Sequence, residues 1–377
     1  MISTSLIGIL ALIICILFLL FATFLLTVKT EKKLSNRLLA AFLLVTAIDI
    51  SAFFYREFIE VRLSLEMLRI QISHLKDPFL FLYFLSVIYS DFRLKPKHLV
   101  LLVPWIISML ILIPNFFLEG QDGQLRFFQV YGQAWEYQFM NIFGKVVEVA
   151  YIIAEFYYLL RYRKLLLENY TGKAYFQNYY WLRQLIVFIL IAQALTFIKG
   201  YVRDSLNSEF TDDFRILLLV YGLFFSIWLV WKAMHSPKLF RGIAVDLKLS
   251  KELMAEDSSA RIPSKKIQNQ ITSLKNYMTE QRPFLNAGLT IQKLADQIGL
   301  PSKELSVLIN QHLNQHFFDF INGYRIESAM EILSDPSQKD LTVLEILYDI
   351  GFNSKSSFNT AFKKHTGTTP TTYRKKH

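Results

Sequence analysis

Long apolar runs alternate with short charged clusters through residues 1–235, and then the pattern changes. A helix needs about 20 apolar residues to cross roughly 30 Å of hydrocarbon. Seven stretches meet or approach that length: 5–28, 38–59, 72–90, 98–118, 137–160, 181–202 and 214–234. The third and fifth carry Asp77, Lys145, Glu148 and Glu155, and they are the most polar. The first run is too long for the apolar core of a signal peptide. No small-residue cleavage site follows it before Lys29, so it reads as a retained span.

Residues 236–263 hold scattered charge, serine and proline without period, the pattern of a linker. From residue 264 the period becomes that of soluble helices. Ile267, Ile271, Leu274 and Met278 form a stripe of about two heptads, too short to stand alone and better suited to packing onto a neighbouring domain. Then one twelve-residue phrase occurs twice, 52 positions apart: Leu289 to Leu300 and Leu341 to Phe352. Each copy reads as a capped short helix closed by a glycine (Gly299, Gly351), with a second short helix after it. That is a helix-turn-helix made twice, over 289–313 and 341–366, within a domain spanning 264–377. Thr290 caps the first copy, and Thr342 with Glu345 forms a capping box in the second. The predicted architecture is all-α, a seven-span bundle (1–235) followed by a helical double helix-turn-helix domain.

Composition sharpens this picture. Hydrophobic residues make up 53% of 377, more than a soluble globular chain carries, and the excess lies in the first part. The single cysteine, Cys15, excludes an intrachain disulfide framework or a multi-cysteine metal site. The formal charge is +10. Basic residues crowd alternate connections: Lys29, Lys32, Lys33 and Arg37 in the first; Arg93, Lys95 and Lys97 in the third; Arg161, Arg163, Lys164 and Lys173 in the fifth. By the positive-inside rule these connections are cytoplasmic. The N-terminus is then outside and the C-terminal domain inside.

Charged groups within spans are costly and usually face a bundle interior. Asp49, Lys145, Glu148, Glu155 and Lys199 fit that description, either as a structural polar network or as part of a signal site. The outward fourth connection gathers Phe128, Tyr131 and Trp135 among amides. Such a surface suits a small polar ligand or a loop lying on lipid headgroups. No catalytic constellation, phosphate loop, paired-histidine metal spacing or cofactor motif accompanies them, so neither an enzyme nor a cofactor is expected.

In the C-terminal domain the predicted outward residues are Lys303, Ser306, Val307 and Asn310 in the first unit. In the second they are Lys355, Ser356, Asn359, Thr360, Lys363 and Lys364. Short polar and basic side chains on a helix suit base edges and phosphates in a major groove.

Gly351-Phe352, Phe358, Phe362-Lys363-Lys364, Gly367, Pro370 and Tyr373-Arg374 resemble the C-terminal signature of the AraC/XylS family of transcription regulators. Ile321 to Ile326 resembles that family's linker-helix phrase, and Arg325 within it joins the candidate DNA contacts. The resemblance covers about 100 residues. It implies two recognition helices placed in successive major grooves of double-stranded DNA. This chain departs from the pattern at Leu347 (usually alanine), at Pro301-Ser302 (offset by one) and at Val307 (commonly arginine). The membrane half resembles, less specifically, heptahelical sensors fused to such domains in bacteria. Together these readings predict a one-component regulator in the bacterial cytoplasmic membrane, with DNA, the bilayer and an unidentified small ligand as partners. RNA polymerase and a second copy of the chain are further candidate partners. The competing expectation is a transporter or channel whose helix-turn-helix module regulates or scaffolds it.

Overall fold

A computed structural model describes residues 2–89, 91–171, 173–205, 208–236, 239 and 264–376, and among these the architecture is helical throughout. The linker expected at 236–263 lies almost wholly outside the described residues. The chain divides into two compact units, Met1–Leu159 with Trp181–Leu249, and Leu160–Tyr180 with Ser250–His377.

In the first unit, α1 (Ile2–Thr27) and α2 (Lys33–Tyr55) pack along each other. Short helices α3 (Leu63–Ser73) and α4 (Lys76–Ile88) follow. The run 72–90, read as one third span, therefore holds the last two residues of α3 and all of α4, parted at His74 and Leu75. At 1.5 Å per residue the 13 residues of α4 reach only about 20 Å, so a third pass would need α3 as well. A 3-10 turn (Pro96–Leu102), α5 (Val103–Leu112) and a π-turn (Ile113–Phe117) form one continuous apolar rod. Then come α6 (Gln121–Gln129), α7 (Trp135–Asn169), α8 (Gln177–Ser205) and α9 (Ser208–His235).

Five of these rods are long and apolar enough to cross a membrane: Leu6–Thr27, Lys33–Tyr55, Pro96–Phe117, Gln177–Gly200 and Asp212–His235. Their outward faces carry exposed Leu, Ile, Val and Phe, such as Leu20, Ile106, Phe197, Val220 and Phe224. Water would penalise that surface and hydrocarbon would not. Trp181, near the start of one such rod, is buried. Its ring stacks on Trp228 at 5.3 Å and its indole donates to the Tyr83 hydroxyl at 2.6 Å.

The second unit holds the double helix-turn-helix. Its helices are α10 (Ser264–Gln281), α11 (Ile291–Ile298), α12 (Ser302–Val307) continued by a π-turn (Leu308–His312), α13 (Phe317–Ser334), α14 (Val343–Asp349), α15 (Lys355–Thr366) and α16 (Pro370–Lys376). Two cores form, one under each helix-turn-helix. The first gathers Leu294, Leu305, Ile309, Phe317 and Ile321, with the α10 stripe (Ile267, Ile271, Leu274, Met278) packed onto it as the pattern predicts. The second gathers Ile346, Leu347, Phe352, Phe358 and Phe362. Leu347 is fully buried there, so the core has room for the larger residue.

Candidate DNA-reading surface and polar sites

Each helix-turn-helix is built from local signals. Thr290 accepts from the Lys293 amide at 3.2 Å, and Gly299 ends α11 at φ 69°. In the second unit the Thr342 amide donates to Glu345 Oε2 at 2.7 Å, and the Glu345 amide donates back to Thr342 Oγ1 at 3.1 Å. The Thr342 amide bond favours the ionised carboxylate and holds the Glu345 pKa below its usual value. Ser354 caps α15 by accepting from the Ser357 amide at 3.2 Å, and Gly367 closes that helix at φ 75°.

Gly351 answers two demands at once. Its φ is 88°, and a Cβ there would sit 2.6 Å from the Leu285 carbonyl oxygen and 2.7 Å from that of Phe284. The strap at Pro283–Leu285 thus lies against the turn of the second unit, and a methyl group would drive them apart.

The outward residues of α15 fall where the sequence places them. Lys355, Ser356, Asn359, Thr360, Lys363 and Lys364 are all exposed on one helix. Thr360 Oγ1 donates to the Ser356 carbonyl at 2.8 Å, which leaves its lone pairs for a partner. Lys364 is held by Asp319 at 2.8 Å, so a phosphate must compete with that carboxylate. In the first unit Lys303 is exposed, and Ser306, Val307 and Asn310 are half-buried. Asn310 donates to Ser306 Oγ at 3.0 Å while its own oxygen is buried without a partner. Helix α12 begins at Ser302 and passes into the π-turn after Val307, so this recognition helix is shorter and less basic than α15.

Arg325 does not belong to that surface, and the expectation that it contacts DNA is corrected. It is 1% exposed. Its Nε donates to the Phe284 carbonyl at 2.7 Å, its Nη2 to the Asn286 carbonyl at 2.8 Å, and its guanidinium lies 5.5 Å from the Phe352 ring centre. Burial pulls its pKa down to about 10. One side chain thereby ties together α13, the strap and the second unit.

The second unit also contains the segment between α7 and α8. Tyr170 forms an antiparallel bridge with Thr290, Thr171 Oγ1 donates to the Leu289 carbonyl at 3.0 Å, and Phe176 meets Phe318 edge-on at 5.7 Å. The basic fifth connection is thus seated on the first helix-turn-helix at the N-cap of α11. Sequence reasoning had no signal for this contact, which joins residues 118 apart.

The polar residues of the first unit separate into groups. Asp49 pairs with Arg69 at 3.4 Å; Arg69 also binds Glu66 at 2.9 Å, and Tyr55 and Arg56 bond to Glu66 as well. That network staples the end of α2 to α3. Phe128 and Tyr131 pack with Phe116, Phe127, Met67 and Met140 in an aromatic core, and Trp135 is exposed beside it. Lys145 is exposed, Glu148 and Lys199 are half-buried, and Glu155 is 3% exposed. Met140 and Glu155 are fifteen residues apart on α7, about 22 Å along its axis. The aromatic core and Glu155 are therefore at different levels of that helix.

A family model described as a helix-turn-helix domain matches residues 294–376. The probable transcription factor PqrA of Proteus vulgaris is 28% identical over 89 residues, 24% of this chain and 70% of that protein. A solved protein of unknown function from Listeria innocua is 32% identical, covering 28% of this chain and 96% of its own, with a TM-score of 0.25. The C-terminal domain of AraT, a response regulator from Geobacillus stearothermophilus, is 29% identical over 28% of this chain and 85% of its own, also at 0.25. The family match and the curated relative support DNA-binding transcription regulation through this domain. More particularly, residues 294–376 are an AraC-type domain.

Proposed function

We propose that the chain is a membrane-embedded one-component transcription regulator of the bacterial cytoplasmic membrane. The single observation that carries the reading is the joining, in one chain, of five membrane-length apolar helices to an AraC-type domain whose α15 turns an unbroken polar and basic face outward. Its DNA contacts are Lys303, Ser306, Val307 and Asn310 from the first unit and the exposed face of α15 from the second. In this reading seven passes cross the bilayer, with α3 and α4 as a broken third pass and α7 as a charged fifth. The N-terminus is outside and the reader is inside.

Coupling is direct and runs through the fifth connection. Tyr170, Thr171 and Phe176 sit on the first helix-turn-helix, so a shift of α7 against α8 would be felt at the N-terminus of α11. In helix-turn-helix proteins the first helix crosses the DNA backbone, which makes that end a natural point of control. A ligand moves such an equilibrium only by its difference in affinity for the two arrangements.

The test is to sequence the DNA retained by the purified full-length protein in nanodiscs. A recurrent motif whose binding falls steeply with salt supports a regulator. Retention no better than random duplex removes the reading.

Topology yields a separate expected outcome. Cys15 is buried, so introduced cysteines report alone. On intact cells a cysteine at Gln124 is expected to react with an impermeant thiol reagent, and one at exposed Asn276 only after lysis. The reverse pattern would sink the scheme, because promoter DNA is cytoplasmic.

A further inference from the structure

The interface of α4 with α7 holds a constellation that DNA reading does not use. Asp77 and Phe81, four apart, share a face of α4, and Tyr151, Glu155 and Tyr158 share a face of α7. The two faces meet. The Phe81 ring centre lies 5.9 Å from that of Tyr151 and 5.8 Å from that of Tyr158. The Asp77 carboxylate acts electrostatically on both Glu155 and Tyr151.

Glu155 is the anomaly. It is 3% exposed, and among the described residues no donor hydrogen-bonds to its carboxylate. Tyr151 cannot serve, because its hydroxyl is committed to the Leu101 carbonyl at 2.9 Å. Lys76 acts on Asp77 and Glu148, and Lys145 on Glu148; the charge that acts on Glu155 is another acid, Asp77. A buried carboxyl group without donors, beside a second acid, is costly to keep ionised. Positive charge brought by a ligand relieves it. The walls specify what kind of cation. Three aromatic rings, Phe81, Tyr151 and Tyr158, gather where the two faces meet, and aromatic surroundings favour an organic ammonium over a bare metal ion that needs six or more oxygens. Among the described residues no three His, Cys, Asp or Glu side chains gather closely enough to hold a metal. Asp77, Tyr151 and Tyr158 each keep part of their surface, so the spot is reachable from outside.

We propose that Asp77, Phe81, Tyr151, Glu155 and Tyr158 form a binding site for a small organic ammonium ion. As the signal-receiving site it rests on the sensing reading above; as a binding site it does not.

The experiment uses the full-length protein in nanodiscs at neutral pH. Thermal unfolding is followed while tetramethylammonium chloride is titrated against sodium chloride of equal concentration. Tetramethylammonium should raise the midpoint progressively, as a ligand that binds only the folded state does, and sodium should not. Glu155→Gln and Tyr158→Leu should each weaken that response about tenfold or more, the scale of a lost ion pair or cation–π wall. Asp77→Asn provides the same measurement if either variant fails to fold. Equal stabilisation by sodium, or a tetramethylammonium response unchanged in the variants, overturns the site. A promoter reporter is read separately. If it ignores tetramethylammonium while binding persists, the sensing role falls and the site stands.

Discussion

Alanine at both Asn359 and Thr360 is expected to remove most of the protein's preference for its operator over random duplex. Both side chains are exposed on the outward face of α15, one turn beyond its Ser354 cap. Each carries donors or acceptors at the length a base edge requires, and a lost base contact costs about 1–3 kcal/mol. Because each loss falls on the specific complex alone, the double variant should approach the wild type's affinity for non-specific DNA. Lys363→Ala should behave differently. An ammonium on phosphate carries no sequence information, so all duplexes weaken alike and the salt slope falls by about 1. Lys364→Ala should have a smaller effect, since wild-type Lys364 must first leave Asp319. Anisotropy titrations of the nanodisc-embedded protein on operator and scrambled duplex, across a range of potassium chloride, separate the three. Full operator preference in the Asn359/Thr360 double variant would show that α15 does not read bases.

That surface was legible in the sequence because its determinants are local. A cap and its amide lie three residues apart, a glycine marks each turn, and the apolar period says which side of α15 is buried. The same locality exposed the packing of the α10 stripe onto the reader. Local pattern failed where tertiary contacts decide. The run 72–90 is apolar enough to read as one rod, yet it breaks at His74 and Leu75, and nothing in its hydropathy marks the break. Asp49 and Glu155 look alike as acids inside apolar runs. One is paired with Arg69 from a neighbouring helix, and the other faces Asp77 with no donor; only the packing of α3 and α4 distinguishes them. Phe128 and Tyr131 suit a ligand wall by residue type, but each turns out to be packed against other rings.

Arg325 is the sharpest of these cases, and its replacement should carry the largest effect on stability. By residue type an arginine on the linker helix suits phosphate. Its destination is instead set by the strap some forty residues earlier, whose Phe284 and Asn286 carbonyls accept its two donors at 2.7 and 2.8 Å. Arg325→Met fills the space but leaves both carbonyls unanswered. At about 1–3 kcal/mol for each stranded group, a loss of roughly 2–6 kcal/mol is expected. Arg325→Lys keeps the charge but cannot reproduce the planar fork, so it should fall nearly as far. The loss also loosens the junction where the strap meets Gly351, so the spacing of the two recognition helices should become less defined. Operator affinity should then drop while the salt slope stays that of the wild type, because no phosphate contact has gone. A DNA-contacting arginine predicts the opposite pair of results for Arg325→Met: a melting midpoint within a degree or two of wild type, and a salt slope lower by about 1, which Arg325→Lys would restore. Measuring both quantities on the same two variants decides whether Arg325 positions the reading helices or touches DNA itself.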